Sequence, residues 1–324
     1  MAKKNISETI ARMKEQTIGV EIEFTGITRW TASNVLAKEL GASGAAHLGG
    51  CYDKYEVRDD QGREWHIVYD SSIDSRVGGD KCELVTPILH YEDIEQLQQV
   101  VRALRKRGAI SRPSLKCGIH IHIGADGHDA KTLRNLTNIM ASKEDLLAKA
   151  IGVTDARMTY CRTTSERFLK QINEKKPKKM SQLERIWYGG RSQRDQHYSP
   201  SRYHMLNLHS VFSKGTIEFR CFNFSEPDPA AGRRGGMHAG QIKAYIQLCL
   251  AMSQMAKEAK SARPDKPQRA NEKYALRTWM LRLGFIGDEF KTARTLLMKN
   301  LNGNSAWRHT GPMAQQQEND NRVA

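Results

Sequence analysis

Glutamates at 21 and 23, histidines at 120 and 122, and a glutamate–arginine pair at 218 and 220 share one spacing: a single apolar residue separates the members of each pair. The runs are Gly19-Val20-Glu21-Ile22-Glu23-Phe24, Gly118-Ile119-His120-Ile121-His122-Ile123-Gly124 and Gly215-Thr216-Ile217-Glu218-Phe219-Arg220. On a β-strand, residues at i and i+2 share one face. Each pair therefore stands on one side of its strand, while Val20, Ile22, Phe24, Ile121 and Phe219 are free to pack against helices on the other. A sheet face carrying carboxylates, imidazoles and a guanidinium has the donor set of a metal–nucleotide site.

The chemistry of each pair leaves more than one use. Adjacent ionised carboxylates repel unless water or a divalent cation offsets the repulsion. Glu21 and Glu23 thus read either as solvent-facing or as hard oxygen ligands for magnesium or manganese, ions commonly delivered with phosphates. Recurrence of the pattern on other strands favours the ligand reading. His120 and His122 match a common zinc pair, but His-x-His is as often structural, and no third nitrogen or sulfur ligand stands at a telling spacing. Cys117 falls on the opposite strand face from His120 and is not read as a nucleophile. Arg220 suits bidentate holding of a phosphoryl group or a carboxylate; with Glu218 it equally suits a structural ion pair. Glu83, in Cys82-Glu83-Leu84-Val85-Thr86-Pro87, is a further candidate metal ligand. Asp70, in Tyr69-Asp70-Ser71-Ser72-Ile73, closes a strand and either contacts substrate or caps a turn; Ser72 is the second candidate for substrate contact.

Periodicity indicates the elements that must position these groups. Residues 6–16 read as a helix, Thr17–Thr25 as a strand, and Thr31–Leu40 as a helix ending at Gly41. Tyr52–Arg58 and Arg63–Asp70 flank Asp59-Asp60-Gln61-Gly62 as a hairpin, and Cys82–Leu89 is another strand. Tyr91–Arg107 carries Ile94, Leu97, Val101 and Leu104 on one helical stripe. Lys116–Gly124 is the histidine strand and Ala130–Ile151 a helix. Residues 153–200 are polar and basic, an expected insertion or flap with a helix near Met180–Trp187. Tyr203–Val211 and Gly215–Phe224 are expected as two strands, Met237–Lys260 as a long helix, and Tyr274–Leu301 as two more. Two runs of strands separated and followed by helices predict an α+β fold with a mainly antiparallel sheet of about six strands. Residues 1–260 are expected to form the catalytic domain, 261–301 a helical extension and 302–324 a disordered tail.

With 324 residues, the chain is long enough for about two domains or one elaborated domain. It contains no apolar run of about 18 residues, which excludes a transmembrane helix. The N-terminus lacks an apolar signal-peptide core. Six scattered cysteines without a C-x-x-C pair argue for reduced thiols and a cytoplasmic setting. The net charge of +15 attracts polyanions. Much of the excess lies in Arg102–Lys116 and Arg157–Arg194, which read either as solvated surroundings of a nucleotide site or as a surface for an acidic protein or nucleic acid. Dinucleotide-binding and P-loop signatures are absent.

Taken in order, these pieces resemble the amidoligase family, carboxylate–amine ligases related in fold to glutamine synthetase and glutamate–cysteine ligase. The matching pieces are Gly19-Val20-Glu21-Ile22-Glu23, Val68-Tyr69-Asp70-Ser71-Ser72-Ile73, Glu83-Leu84-Val85-Thr86-Pro87, Cys117-Gly118-Ile119-His120-Ile121-His122, Arg202-Tyr203-His204-Met205-Leu206-Asn207-Leu208 and Thr216-Ile217-Glu218-Phe219-Arg220. The resemblance implies a glutamine synthetase-like fold, a curved antiparallel sheet whose concave face binds ATP and two or more magnesium ions. It implies Glu21, Glu23, Glu83 and Glu218 as metal ligands, one of His120 and His122 as an aid to metal or nucleotide binding, and Arg220 as stabiliser of the transferred phosphate. Arg202 and Asn207 are then expected on neighbouring strand positions, facing substrate or nucleotide. The implied activity joins a carboxylate to an amine through an acyl phosphate. The competing readings are a metal-dependent hydrolase using His120 and His122, and a non-catalytic nucleic-acid-binding protein.

Overall fold

Alternation in β1 (Ile18–Phe24) sends Ile18, Val20, Ile22 and Phe24 into the core, each 2% exposed or less. The computed structural model describes residues 5–230, 232, 234–266 and 271–307. After α1 (Ile6–Lys14) and β1 come α2 (Arg29–Glu39), β2 (Ala46–Gly49), β3 (Lys54–Arg58), β4 (Glu64–Val68) and β5 (Cys82–Val85). Then follow α3 (Ile94–Arg107), β6 (Ile119–Gly124), α4 (Ala130–Ala141), α5 (Glu144–Ile151), α6 (Asp155–Met158), α7 (Glu166–Lys175) and α8 (Met180–Tyr188). The chain continues through β7 (Leu206–Asn207), α9 (His209–Lys214), β8 (Thr216–Phe222), α10 (Ala239–Glu258), α11 (Glu272–Arg282) and α12 (Lys291–Met298). The strands form one open sheet in the order β2-β3-β4-β5-β1-β6-β8-β7, every neighbouring pair antiparallel.

One face of this sheet is apolar and covered by helices: α10 lies on β6, flanked by α3 and α4, and α2 covers β3 and β4. Leu36, Trp65, Ile67, Leu84, Ile121, Phe219 and Leu248 are fully buried in that layer. A helix apolar almost all round must be enclosed, and α10 is: α1 and α12 pack against it as well. The other face is left to the polar members of the same strands. The chain is thus an α+β protein with an antiparallel sheet backed by helices.

Several elements differ from the sequence reading. The sheet has eight strands rather than about six. The added β2 has mostly exposed residues, so it carries no two-residue burial period and is defined only by pairing with β3. The expected strand Tyr203–Val211 is only Leu206–Asn207. There the Asn207 Oδ1 accepts the His209 N–H at 2.9 Å, a side-chain-built turn that redirects the chain into α9, and Gly215 at φ +71° ends that helix. The expected helix Ala130–Ile151 is two helices, because Ser142 Oγ bonds back to Ile139 O and a new start with Glu144 and Asp145 follows. The basic segment folds into α6 and α7 as well as the expected α8. Beyond α12, Asn302 N–H donates to Glu272 Oε2, and Asn271 Nδ2 donates to Asn304 O and Trp307 O. The part of the expected disordered tail from residue 308 onward lies outside the described residues.

Candidate active site

Register brings the polar pairs together. Glu21 stands opposite His120, Gly19 opposite His122, and Glu23 opposite Glu83. His122 in turn faces Glu218, which faces Asn207 across the last pair. Directly opposed side chains share a face with Cβ atoms about 5 Å apart, so four strands and the short edge strand converge on one patch. Glu23, His120, His122, Asn207, Glu218 and Arg220 are all buried, and Glu21 and Glu83 partly so.

Contacts within the patch link acids to imidazoles and guanidinium groups. His120 Nδ1 lies 3.0 Å from Glu21 Oε2 and 3.8 Å from Glu218 Oε1, and its Nε2 lies 3.5 Å from Glu23 Oε1. His122 Nε2 is 3.3 Å from Glu21 Oε1, and its Nδ1 pairs with Thr216 Oγ1 at 3.0 Å. Arg220 Nη1 donates to Glu218 Oε1, and Asn207 Nδ2 donates to Glu218 Oε2 at 2.6 Å. Asp70 joins the far side, within ligand distance of Glu23 and Glu83. Ser72 reaches the set through its backbone N–H, donated to Asp70 Oδ1 at 2.7 Å.

Arg202 is a correction. It sits on a 3-10 turn, Pro200–Arg202, rather than on a strand, and its Nη1 donates to His197 O at 2.8 Å. The Pro200–Tyr203 turn has moved it off the strand, and it meets the site through Tyr203, whose ring lies 5.9 Å from the Arg202 Cζ and 5.8 Å from the Arg220 Cζ. Cys117 is fully buried, and burial pushes its thiol up to about 12, which agrees with its exclusion as a nucleophile.

Charge is unevenly compensated. Burial pushes the Glu21 carboxyl up, but His122 and His120 outweigh it and hold the group well below the usual carboxylate range. Burial also acts upward on Glu218, which Arg220 and His122 bring down to about 2. His122 is lowered by burial and raised more by Glu21 and Glu218, ending above its ordinary value. Glu83 has only the weaker pull of Arg220: burial, then Glu21 and Glu23, push it well above the ordinary range.

Three three-residue ligand sets form a chain across the patch: Glu23, Asp70 and Glu83; Glu21, Glu83 and His120; Glu21, His122 and Glu218. In each set the candidate ligand atoms lie within 4.8 Å of one another. The Nε2 atoms of His120 and His122 are buried and, although close to Glu23 and Glu21, make no well-aligned hydrogen bond. The fit to magnesium or manganese rests on the carboxylate oxygens that dominate each set. Among the described residues no such set contains both histidines, so the pair is divided between acids rather than gathered as a zinc site would need.

Arg157 was not foreseen. It comes from α6 in the basic segment, is 2% exposed, and brings Nη1 to 3.8 Å from Glu23 Oε2 while Nη2 donates to Arg220 O at 3.1 Å. Gly118 makes room for it: a Cβ there would lie 2.1 Å from Arg157 Nη2. The Gly118 N–H also donates to Glu23 Oε2 at 2.6 Å. The glycine before the histidine run was the only local sign of this close approach. Lys214, 3.9 Å from Glu21 Oε1 through Nζ, was likewise unassigned. It enters from α9, whose first half had been read as the end of the strand Tyr203–Val211 and whose second half as the connection to the next strand.

Residues 14–253 match the family described as "Putative amidoligase enzyme", a span that contains every residue of the patch. The chain belongs to that amidoligase family. No curated protein matches the chain. Among solved structures, a bifunctional glutathione synthetase from Pasteurella multocida is similar at 12% identity and a TM-score of 0.39, over 91% of this chain and 48% of that one. The chain therefore spans about half the length of that protein.

Proposed function

We propose that the chain is an ATP-dependent ligase that joins a carboxylate to an amine through an acyl phosphate, with magnesium or manganese as cofactor. The observation that carries this reading is the meeting, on one sheet face, of five carboxylic acids with His120, His122 and Arg220, whose buried Nε2, Nε2 and Nε atoms lack a well-aligned hydrogen bond. Membership of the amidoligase family supports the reaction class.

A carboxylate is a poor electrophile because hydroxide is a poor leaving group. In the proposed sequence a substrate carboxylate oxygen bonds to the γ-phosphorus of ATP, and the bond to the ADP oxygen breaks. The amine then attacks the acyl carbon, phosphate departs, and the amine loses a proton to give the amide. Positioning and charge stabilisation dominate such transfers. Glu21, Glu23, Glu83 and Glu218 would hold the divalent ions, aided by His120 and His122, and Asp70 stands within reach of Glu23 and Glu83. Divalent ions held there would supply charge neutralisation for the phosphates. Arg220, fixed in direction by Glu218, turns its free Nε–H toward the transferring phosphoryl group. Asn207 holds the second oxygen of Glu218 and so keeps that pair aligned. Ser72 steadies Asp70 at the substrate end, and Arg202 borders the site through Tyr203.

Purified protein given ATP, magnesium and a panel of acids and amines is expected to release ADP. Glu21→Gln with Glu23→Gln should abolish that release. ADP release unchanged in the double variant overturns the reading.

A further inference from the structure

Two adjoining depressions run along the α7–α8 hairpin, sharing Arg167, Gln171, Ile186 and Gly189 as a common wall. Five cations line them: Arg162, Arg167, Lys175, Lys179 and Arg185. No aspartate or glutamate does so among the described residues. Arg167, Lys175, Lys179 and Arg185 are exposed and have no side-chain hydrogen bond or ion pair among the described residues. The hairpin's acids do not compensate them. Glu184 is buried and bonded to Arg194 and Ser192, Glu174 faces Lys170 at 3.9 Å, and Glu166, exposed at the start of α7, forms no ion pair with these cations among the described residues. An uncompensated row of cations in a concavity concentrates anions.

One end of the groove borders the segment that packs against the acid–histidine patch. Pro200, Ser201 and His204 line that end. Between them, the Tyr203 ring stands against both Arg202 and Arg220. The groove's aromatic side chains are already engaged: Trp187 packs edge-on with Phe168 and His204, and Tyr188 with His209 and Phe212. That leaves no stacking platform of the kind single-stranded nucleic acid uses. The ten residues of α7 span about 15 Å, the reach of about five residues of extended chain.

We propose that this groove binds an acidic peptide segment and so delivers a peptide carboxylate to the site. The delivery step rests on the ligase reading above; the binding step does not, and it is measured with EDTA and without nucleotide. A fluorescein-labelled deca-glutamate peptide, followed by anisotropy in about 50 mM salt, is expected to bind, and to bind less tightly as salt rises. Arg167→Glu with Arg185→Glu should weaken binding by about tenfold or more. Lys106→Glu with Arg107→Glu on α3 makes the same change in net charge and should alter affinity less than about twofold. Undetectable binding, equal binding of deca-glutamine, equal loss in both double variants, or tighter binding of a ten-nucleotide single strand each overturns the proposal. All four substituted positions are exposed, and retained helical circular dichroism identifies the folded variants.

Discussion

The sheet carries two acid–histidine clusters on one face, the buried patch on β1, β5, β6 and β8 and a second set, Glu56, Glu64 and His66, on β3 and β4. Their ingredients are alike, but their compensation differs. Glu56 has Arg58 at 2.9 Å and Lys54 at 3.9 Å, and Glu64 has the same Arg58 at 2.5 Å. Arg58 and Glu64 are more than 40% exposed. The outer acids thus find cations on the single strand β3, and the Arg58–Glu64 pair stands in water. In the central patch the side chains of Glu23 and Glu218 are 4% exposed, Arg157 and Lys214 must arrive from other elements, and Glu83 has no cation paired with it among the described residues. Residue type alone does not make a candidate metal site. Burial with incomplete charge compensation separates the two clusters.

The comparison breaks most visibly in activity. Glu21→Gln with Glu23→Gln should lower ADP release by on the order of 10²–10³-fold or more, whereas Glu56→Gln with Glu64→Gln should leave it within about twofold. A comparable loss from the outer pair would show that both clusters serve the reaction. Next in size is stability. Arg157→Gln leaves Glu23 buried without its cation and should cost about 3–5 kcal/mol in urea unfolding. Gly118→Ala, which drives a Cβ into the Arg157 guanidinium, should cost about 1–3 kcal/mol.

The pH dependence of the metal-free protein sharpens the contrast within the central patch. Glu83 is raised in the folded state, so the folded form keeps the proton that the unfolded form releases near pH 4.5. Its contribution is therefore lost as pH rises above that value, and Glu83→Gln should stabilise the EDTA-treated protein increasingly from pH 5 to 8. Glu218 is depressed to about 2; its contribution is present above its unfolded value and lost as pH falls toward 2, so Glu218→Gln should destabilise at neutral pH and matter less in acid. Urea midpoints from about pH 8 down to about pH 3 test both signs. The smallest effect belongs to the outer cluster, where Arg58→Gln should change stability by about 0–1 kcal/mol.

The sequence by itself determined which residues share a face, because the two-residue strand period is local: Glu21 with Glu23, His120 with His122, Glu218 with Arg220. The long helices were legible for a similar reason, their apolar stripes repeating inside one segment. Tertiary structure decided what a single segment cannot carry. The edge strand β2 exists only by pairing, and the turn at Asn207 replaced an expected strand with α9. The entry of Arg157 past Gly118 depends on groups 39 residues apart in sequence meeting in the core. Likewise, nothing in the spacing of Glu56, Glu64 and His66 distinguishes them from the central acids. Burial and the arrival of distant counter-charges do, since electrostatic cost depends on how far water is excluded, and that is a property of the packed chain.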